Sequence, residues 1–314
     1  MQRMIFNRRM VAYTVCLWIA ASLLSDRGSS EAQEPVASAA GPVLQSRPMI
    51  EAPIDHPSRA FLLVDSATGN VLASKNPHEP LIPASLTKVM TLRLVFKALH
   101  EGRIHLTDTV PVSVRAWGYR RPLRGTSLMF LEPGRPVTVD QLIEGMAVSS
   151  ANDASVALAE YLGGSIAGFA DMMNAEAARL GLTTAVFHDP HGLSHDNRIS
   201  AADMARLAMS LLRDYPEYTD YAARPTINYN DILQYNNMRR FFRSMEGGDG
   251  LKTGFLSISG YSVVATAVRN EQRLVAVVLN TPRRVNGRRG DYSRDELAAD
   301  LLQRGFTYTQ TASR

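Results

Sequence analysis

The pattern of apolar and polar positions divides the chain into a β-rich start, a helical middle and a β-rich end. Residues 60–64 and 71–74 are β-type runs joined by Asp65-Ser66-Ala67-Thr68-Gly69-Asn70, which predicts a hairpin. After Pro80 and Pro83 the spacing predicts a helix over 85–102, with Gly102 as its C-terminal stop. Leu86, Val89, Met90, Leu92, Leu94, Val95, Phe96, Ala98 and Leu99 leave this helix almost no polar face, so it is expected to be buried. Residues 107–240 read as largely helical, with helices over 140–148, 153–162, 166–180 and 201–212. Residues 261–268 and 274–279 return to strand patterns around Arg269-Asn270-Glu271-Gln272-Arg273, a second hairpin. A last helix, 293–303, carries Leu297, Ala298, Leu301 and Leu302 on one side. This order implies an α/β (α+β) fold: an antiparallel sheet built from both chain ends, with a helical subdomain inserted.

The N-terminus adds a destination. Arg3, Arg8 and Arg9 precede an apolar stretch, 11–24, and Ser30 and Ala32 offer a cleavage site, so residues 1–32 read as an export signal. That stretch is about 14 residues long, short of the roughly 20 that span a bilayer, which makes an uncleaved anchor the less favoured reading. Residues 33–57, with prolines at 35, 42, 48, 53 and 57, read as a linker; 58–306 is the folded part and 307–314 a tail. Cys16 is the only cysteine and lies in the signal, so disulfides, thiol catalysis and cysteine-bound metals are excluded from the mature chain. Losing Arg3, Arg8, Arg9, Arg27, Asp26 and Glu31 lowers the formal net charge from +4 to +2, a poor footing for nucleic-acid binding. The run from Arg283 to Arg289 reads as a solvated loop, and Arg289-Gly290-Asp291 as a chance tripeptide.

Three short motifs carry candidate chemistry: Ser85-Leu86-Thr87-Lys88, Ser150-Ala151-Asn152 and Lys252-Thr253-Gly254. Ser85 and Lys88, three apart on a helix, share a face. A serine hydroxyl needs a base, and Lys88 can serve if burial and the charge of Lys252 lower its pKa. Ser150 and Asn152, in a turn between helices, can relay a proton and hold a substrate carbonyl, or can equally be helix caps. Lys252 and Thr253 can bind a carboxylate as point charge plus hydroxyl, while Gly254 lets a substrate approach the strand that the motif opens. His188, His191 and His195 raise a zinc reading, but Asp189-Pro190-His191-Gly192-Leu193 reads better as a tight loop.

In this order the three motifs resemble those of penicillin-recognising serine enzymes. Longer phrases resemble the serine-type D-alanyl-D-alanine carboxypeptidases, the low-molecular-mass penicillin-binding proteins. They are Pro83-Ala84-Ser85-Leu86-Thr87-Lys88 with Met90-Thr91, Ser127-Leu128-Met129-Phe130, Ser150-Ala151-Asn152-Asp153-Ala154, Asp189-Pro190-His191-Gly192-Leu193 and Asp249-Gly250-Leu251-Lys252-Thr253-Gly254. The resemblance covers about 58–306 and implies a β-lactamase/DD-peptidase-like fold with acyl-enzyme formation at Ser85. It implies Lys88 as base, Ser150 and Asn152 across the cleft, Lys252 and Thr253 on the carboxylate of a terminal D-alanine, and the N–H groups of Ser85 and Phe255 as oxyanion hole. No metal or organic cofactor is implied. The partners implied are peptidoglycan stem peptides, with β-lactam antibiotics as inhibitors. Many relatives continue into a β-rich domain and a membrane-binding helix, whereas this chain stops at Arg314, so the expectation is an exported, periplasmic enzyme without a stable membrane anchor.

A second departure and three rivals accompany this expectation. The position after Gly254, often polar or hydroxyl-bearing in the family, is Phe255, which leaves backbone donation intact and bears on substrate preference. A β-lactamase needs a carboxylate to activate the deacylating water. No Glu-x-x-x-Asn phrase lies between Asn152 and Lys252, and Glu160 and Glu176 fall in helical patterns. A D,D-endopeptidase using the same site is the nearer rival. A non-catalytic wall-binding module would be expected to have lost Ser85 or Lys88.

Overall fold

The computed structural model describes Leu44 and residues 54–312. The signal reading of 1–32 and all of the linker except Leu44 and 54–57 lie outside the described residues. Strands β1 (Ala60–Asp65) and β2 (Val71–Lys75) form the expected hairpin. They share a five-stranded antiparallel sheet with β7 (Gly248–Leu256), β8 (Gly260–Arg269) and β9 (Gln272–Thr281), in the order β2-β1-β9-β8-β7. Both chain ends therefore build one sheet. Its residues alternate between two cores, as a period of two requires. Ala60, Leu62 and Val64 pack with the inserted helices, while Phe61 and Leu63 pack with the C-terminal helix.

Between the two halves lie α1 (Lys88–His100), the small pair β3 (Thr109–Val110) and β4 (Val137–Thr138), α2 (Val139–Glu144), α3 (Asn152–Gly163), α4 (Ile166–Arg179) and α5 (Ala201–Asp214). Helix α6 (Tyr218–Ala222), the hairpin β5 (Thr226–Tyr229) and β6 (Ile232–Tyr235), and α7 (Arg239–Ser244) complete the insert. The helical expectation for 107–240 thus fails in two places. Residues 111–136 form turns and irregular chain, and 226–235 is a hairpin whose Asn230 and Asp231 both take positive φ, the conformation of a tight two-residue turn.

The helix expected over 85–102 is divided. Ala84–Thr87 is a 3₁₀ turn, with Ala84 at φ 51°, and the α-helix starts at Lys88. The helix expected over 140–148 changes to π-type winding at Gly145–Ser149. After the two-stranded pair β10 (Arg284–Val285) and β11 (Arg288–Arg289), α8 runs Gly290–Ala312, through most of the expected tail. Gly305, inside this helix, serves close packing. A Cβ there would come within 2.7 Å of Leu274 and 2.9 Å of Leu63, and Phe306 beside it is buried.

Helix α1 is buried nearly all round, and its one arginine is neutralised in place. Arg93 donates to Glu176 (2.8 Å) and to Asp214 (2.8 Å), and Glu176 also accepts from Lys97 and Arg179. Burial alone would raise the Glu176 carboxyl, but hydrogen bonds from Arg179, Lys97 and Arg93 bring it down to about 2. Its contribution is present above the ordinary carboxylate range and is lost as pH falls through about 2. Glu176→Ala would leave the Arg93 guanidinium short of a buried partner. It is expected to lower stability by about 3 kcal/mol, read as a fall in the urea midpoint at unchanged slope.

Candidate active site

The three motifs meet at one cleft of about 680 Å³ between the edge strand β7 and the inserted helices. Ser85, Ser150, Asn152, Thr253, Gly254 and Phe255 line it; Lys88 and Lys252 lie beneath its surface, 0% and 1% exposed. All eight residues singled out in the sequence are thus brought together.

Lys88 closes the turn that carries Ser85. Its Nζ lies 3.1 Å from Ser85 Oγ, 2.5 Å from Asn152 Oδ1 and 2.8 Å from the His191 carbonyl. Burial pushes the Lys88 ammonium down to about 7, against the opposing pull of the Asp189 and Asp153 carboxylates. The expected cause was partly the charge of Lys252, and here the structure differs. Lys252 is itself held well below the ordinary lysine range, by burial first and then by Lys88 and Arg294. Two ammonium groups in one buried site disfavour each other, and burial disfavours both.

The His191 carbonyl reaches Lys88 because the 189–194 loop is wound around one carboxylate. Asp189 accepts from the backbone N–H groups of His191 (3.1 Å), Gly192 (2.5 Å) and Ser194 (2.5 Å), and from Asn197 Nδ2 (3.1 Å). Burial would raise this carboxyl, but the His191 side chain and the loop N–H groups hold it well below the usual range. Gly192 takes φ 90° and abuts the Ala84 carbonyl so closely that a side chain would collide with it. The loop reading of Asp189-Pro190-His191-Gly192-Leu193 therefore describes its role: it docks on the Ser85 turn.

Ser150 sits in the left-handed region, φ 64° and ψ 34°, between the π-type segment and α3. Its Oγ is buried with no hydrogen-bond partner among the described residues. An unsatisfied buried hydroxyl costs free energy unless something else supplies its bond. Asp153 next door accepts from Met129 N (3.0 Å) and Leu131 N (2.9 Å), fastening the segment that brings Ser127 to the cleft wall.

Lys252-Thr253-Gly254 does not lead into the strand at 261 but lies within its own strand, β7, paired with β8. Three glycines, at 248, 250 and 254, had hidden that strand. Gly254 has a packing reason: a Cβ would stand 2.9 Å from the Pro83 carbonyl and 3.2 Å from Ser85 N. The strand edge and the Ser85 N–H are therefore neighbours.

Several cleft residues lie outside the three motifs. Leu193, Asn237, Tyr261, Arg289, Asp291 and Arg294 also line the cleft. Arg289 belongs to the basic run expected to be solvent-facing only; β11 and the start of α8 carry it to the cleft wall, where it meets Asp291 (3.2 Å). The two glutamates weighed for a deacylating role stand elsewhere. Glu176 is held by Arg93, Lys97 and Arg179, and Glu160 accepts from Ser113 (2.5 Å) beside Arg115. Among the described residues no group of three or more His, Cys, Asp or Glu is placed to share a metal ion, and no helix is long and apolar enough to cross a membrane.

Comparison with known proteins gives the arrangement its relatives. A family profile described as D-alanyl-D-alanine carboxypeptidase matches residues 47–283. D-alanyl-D-alanine carboxypeptidase DacC of Escherichia coli (strain K12) is 41% identical over 267 residues, 84% of this chain and 64% of that protein. The chain thus spans slightly less than two thirds of that curated relative. Among solved structures, penicillin binding protein 6B from Escherichia coli superposes with a TM-score of 0.75 at 35% identity, covering 82% of this chain and 80% of that one. Penicillin-Binding Protein D2 from Listeria monocytogenes, in its cefotaxime-bound form, superposes with a TM-score of 0.71 at 25% identity, covering 82% of this chain and all of that one.

Proposed function

This chain belongs to the D-alanyl-D-alanine carboxypeptidase family, and from that premise we propose that it removes the terminal D-alanine from peptidoglycan stem pentapeptides through an acyl-enzyme on Ser85. One observation carries the reading: a buried lysine whose nitrogen touches the Ser85 hydroxyl and two carbonyl-type oxygens. A neutral amine has two N–H donors and one lone pair. With the donors spent on Asn152 Oδ1 and the His191 carbonyl, the lone pair of Lys88 faces Ser85 Oγ, 3.1 Å away.

The steps follow. Lys88 takes the hydroxyl proton as Ser85 Oγ bonds to the scissile carbonyl carbon. The N–H groups of Ser85 and Phe255 meet the developing oxyanion at the contact made by Gly254. Ser150 Oγ, buried and unpartnered, passes the proton to the leaving amine. Water then cleaves the ester. Lys252, Thr253 and Arg294 hold the terminal carboxylate, whose charge offsets the burial that depresses Lys252. β-Lactams enter by the same acylation, and the engagement of Glu160 and Glu176 elsewhere supports slow release, hence inhibition instead of resistance. The export signal read in the sequence supports a periplasmic site of action.

Mass analysis of a purified pentapeptide after incubation tests the reading: loss of one alanine is expected, and an unchanged peptide would refute it. The anchor is tested separately. Lys252→Ala is expected to lower kcat/KM for the free-acid peptide by about ten- to a hundredfold, a lost charge-assisted hydrogen bond, and to affect a C-terminally amidated analogue far less. Equal losses on both substrates would show that Lys252 acts mainly on Lys88.

A further inference from the structure

We infer that Phe255, held against Tyr261, is a specificity residue that fits the cleft to leaving D-amino acids with alkyl side chains longer than methyl, including the D-centre of a cross-linked diamino acid. The inference rests on the carboxypeptidase reading and concerns the leaving-group half of the same site.

Strand parity places the parts. Thr253 pairs with Val263 and Phe255 with Tyr261, so Thr253 and Phe255 project from the same face of β7, one pleat of about 6.6 Å apart. Val263 packs with Leu297 of α8, so this is the face on which α8 lies; Gly290, at the start of α8, comes close to Tyr261. A terminal carboxylate held by the Thr253 hydroxyl therefore has the Phe255 ring as its neighbour along the strand. The side chain on the carbon bearing that carboxylate lies within reach of the ring.

The ring is a fixed surface. Its centroid is 4.4 Å from that of Tyr261, with planes 29° apart, which covers one side. Tyr261 is confined in turn: a Cβ on Gly290 would come within 3.0 Å of its ring, and the Arg294 guanidinium lies 5.8 Å from its centroid. Phe255 is nevertheless 40% exposed at the cleft. A D-alanine methyl covers little of that area, whereas a chain of three or four carbons covers much of it. A preformed apolar wall binds such a chain without ordering cost of its own. The bond chemistry is unchanged: the D-residue leaves as its free amine, and water hydrolyses the Ser85 ester.

The test compares matched acyl-D-Ala peptides ending in D-alanine, D-norleucine or D-glutamine, on the full-length enzyme, Phe255→Ser and Phe255→Leu. A ratio of kcat/KM values on one preparation is independent of the folded fraction. Wild type is expected to favour D-norleucine over D-glutamine, a polar chain of similar length, by about tenfold, to lose that preference in Phe255→Ser, and to regain most of it in Phe255→Leu. If Phe255→Ser yields no active protein, the wild-type and Phe255→Leu ratios decide. Release of D-alanine together with a norleucine-to-glutamine ratio near one in wild type, or one unchanged by Phe255→Ser, overturns the inference and leaves the carboxypeptidase reading standing. No release from any of the three overturns both.

Discussion

Ser85→Ala is expected to abolish covalent labelling by a β-lactam and to lower peptide hydrolysis by on the order of 10⁴-fold or more, because no other hydroxyl can replace the nucleophile. Ser150 is the nearest candidate for substitution, being buried in the same cleft with an unpartnered Oγ. It lacks the Lys88 contact that Ser85 has at 3.1 Å. Intact mass after incubation with labelled penicillin should show one adduct per chain in the unaltered protein and none in Ser85→Ala. An adduct that survives the substitution would place the nucleophile elsewhere.

Lys88→Ala is expected to reduce acylation by about 10²- to 10⁴-fold, equally for free-acid and amidated peptides, since in the proposed mechanism it removes a base and not an anchor. Lys88→Arg should do no better, because a guanidinium stays protonated and has no lone pair to offer. The pH dependence gives a second handle. Burial brings Lys88 down to about 7, and the proposed mechanism uses its neutral form, so kcat/KM should climb as pH rises through about 7 and level off above it. The same step should be missing from the residual activity of Lys88→Ala. A flat wild-type profile across neutrality, or a step retained in the mutant, would mean that another group sets the protonation state.

Much of the site could be read before any coordinates. Each of the three motifs keeps its chemistry within a few residues, and the apolar girth of α1 implied the burial that Lys88 undergoes. The β1–β2 and β8–β9 hairpins and helices α3 to α5 followed their periodicity. Strand β7 did not, because Gly248, Gly250 and Gly254 suit a close approach to another segment and carry little strand propensity. The β5–β6 hairpin has a sound turn pair in Asn230-Asp231, but its four-residue strands lie between helical segments and carry too short a pattern to stand out. Arg289 and Arg294 could not be placed at the cleft at all. Their positions depend on where α8 begins against β8, more than 30 residues after the last motif.

What the sequence determined by itself was the inventory: which groups could attack, abstract a proton and bind a carboxylate, and a periodicity that puts strands at both ends of the folded part. Those properties are local, set by side-chain type and spacing along one strand or helix. The tertiary structure decided what state the groups are in. Lys88 is an amine near neutrality because Asn152, 64 residues away, and His191, 103 residues away, close around its nitrogen and exclude water. Lys252 is depressed by its burial and by that same lysine, and Ser150, at a left-handed position, has a buried Oγ with no partner among the described residues. Desolvation and proximity between distant segments belong to no stretch of chain, so they exist only once the sheet and the inserted helices have closed on the cleft.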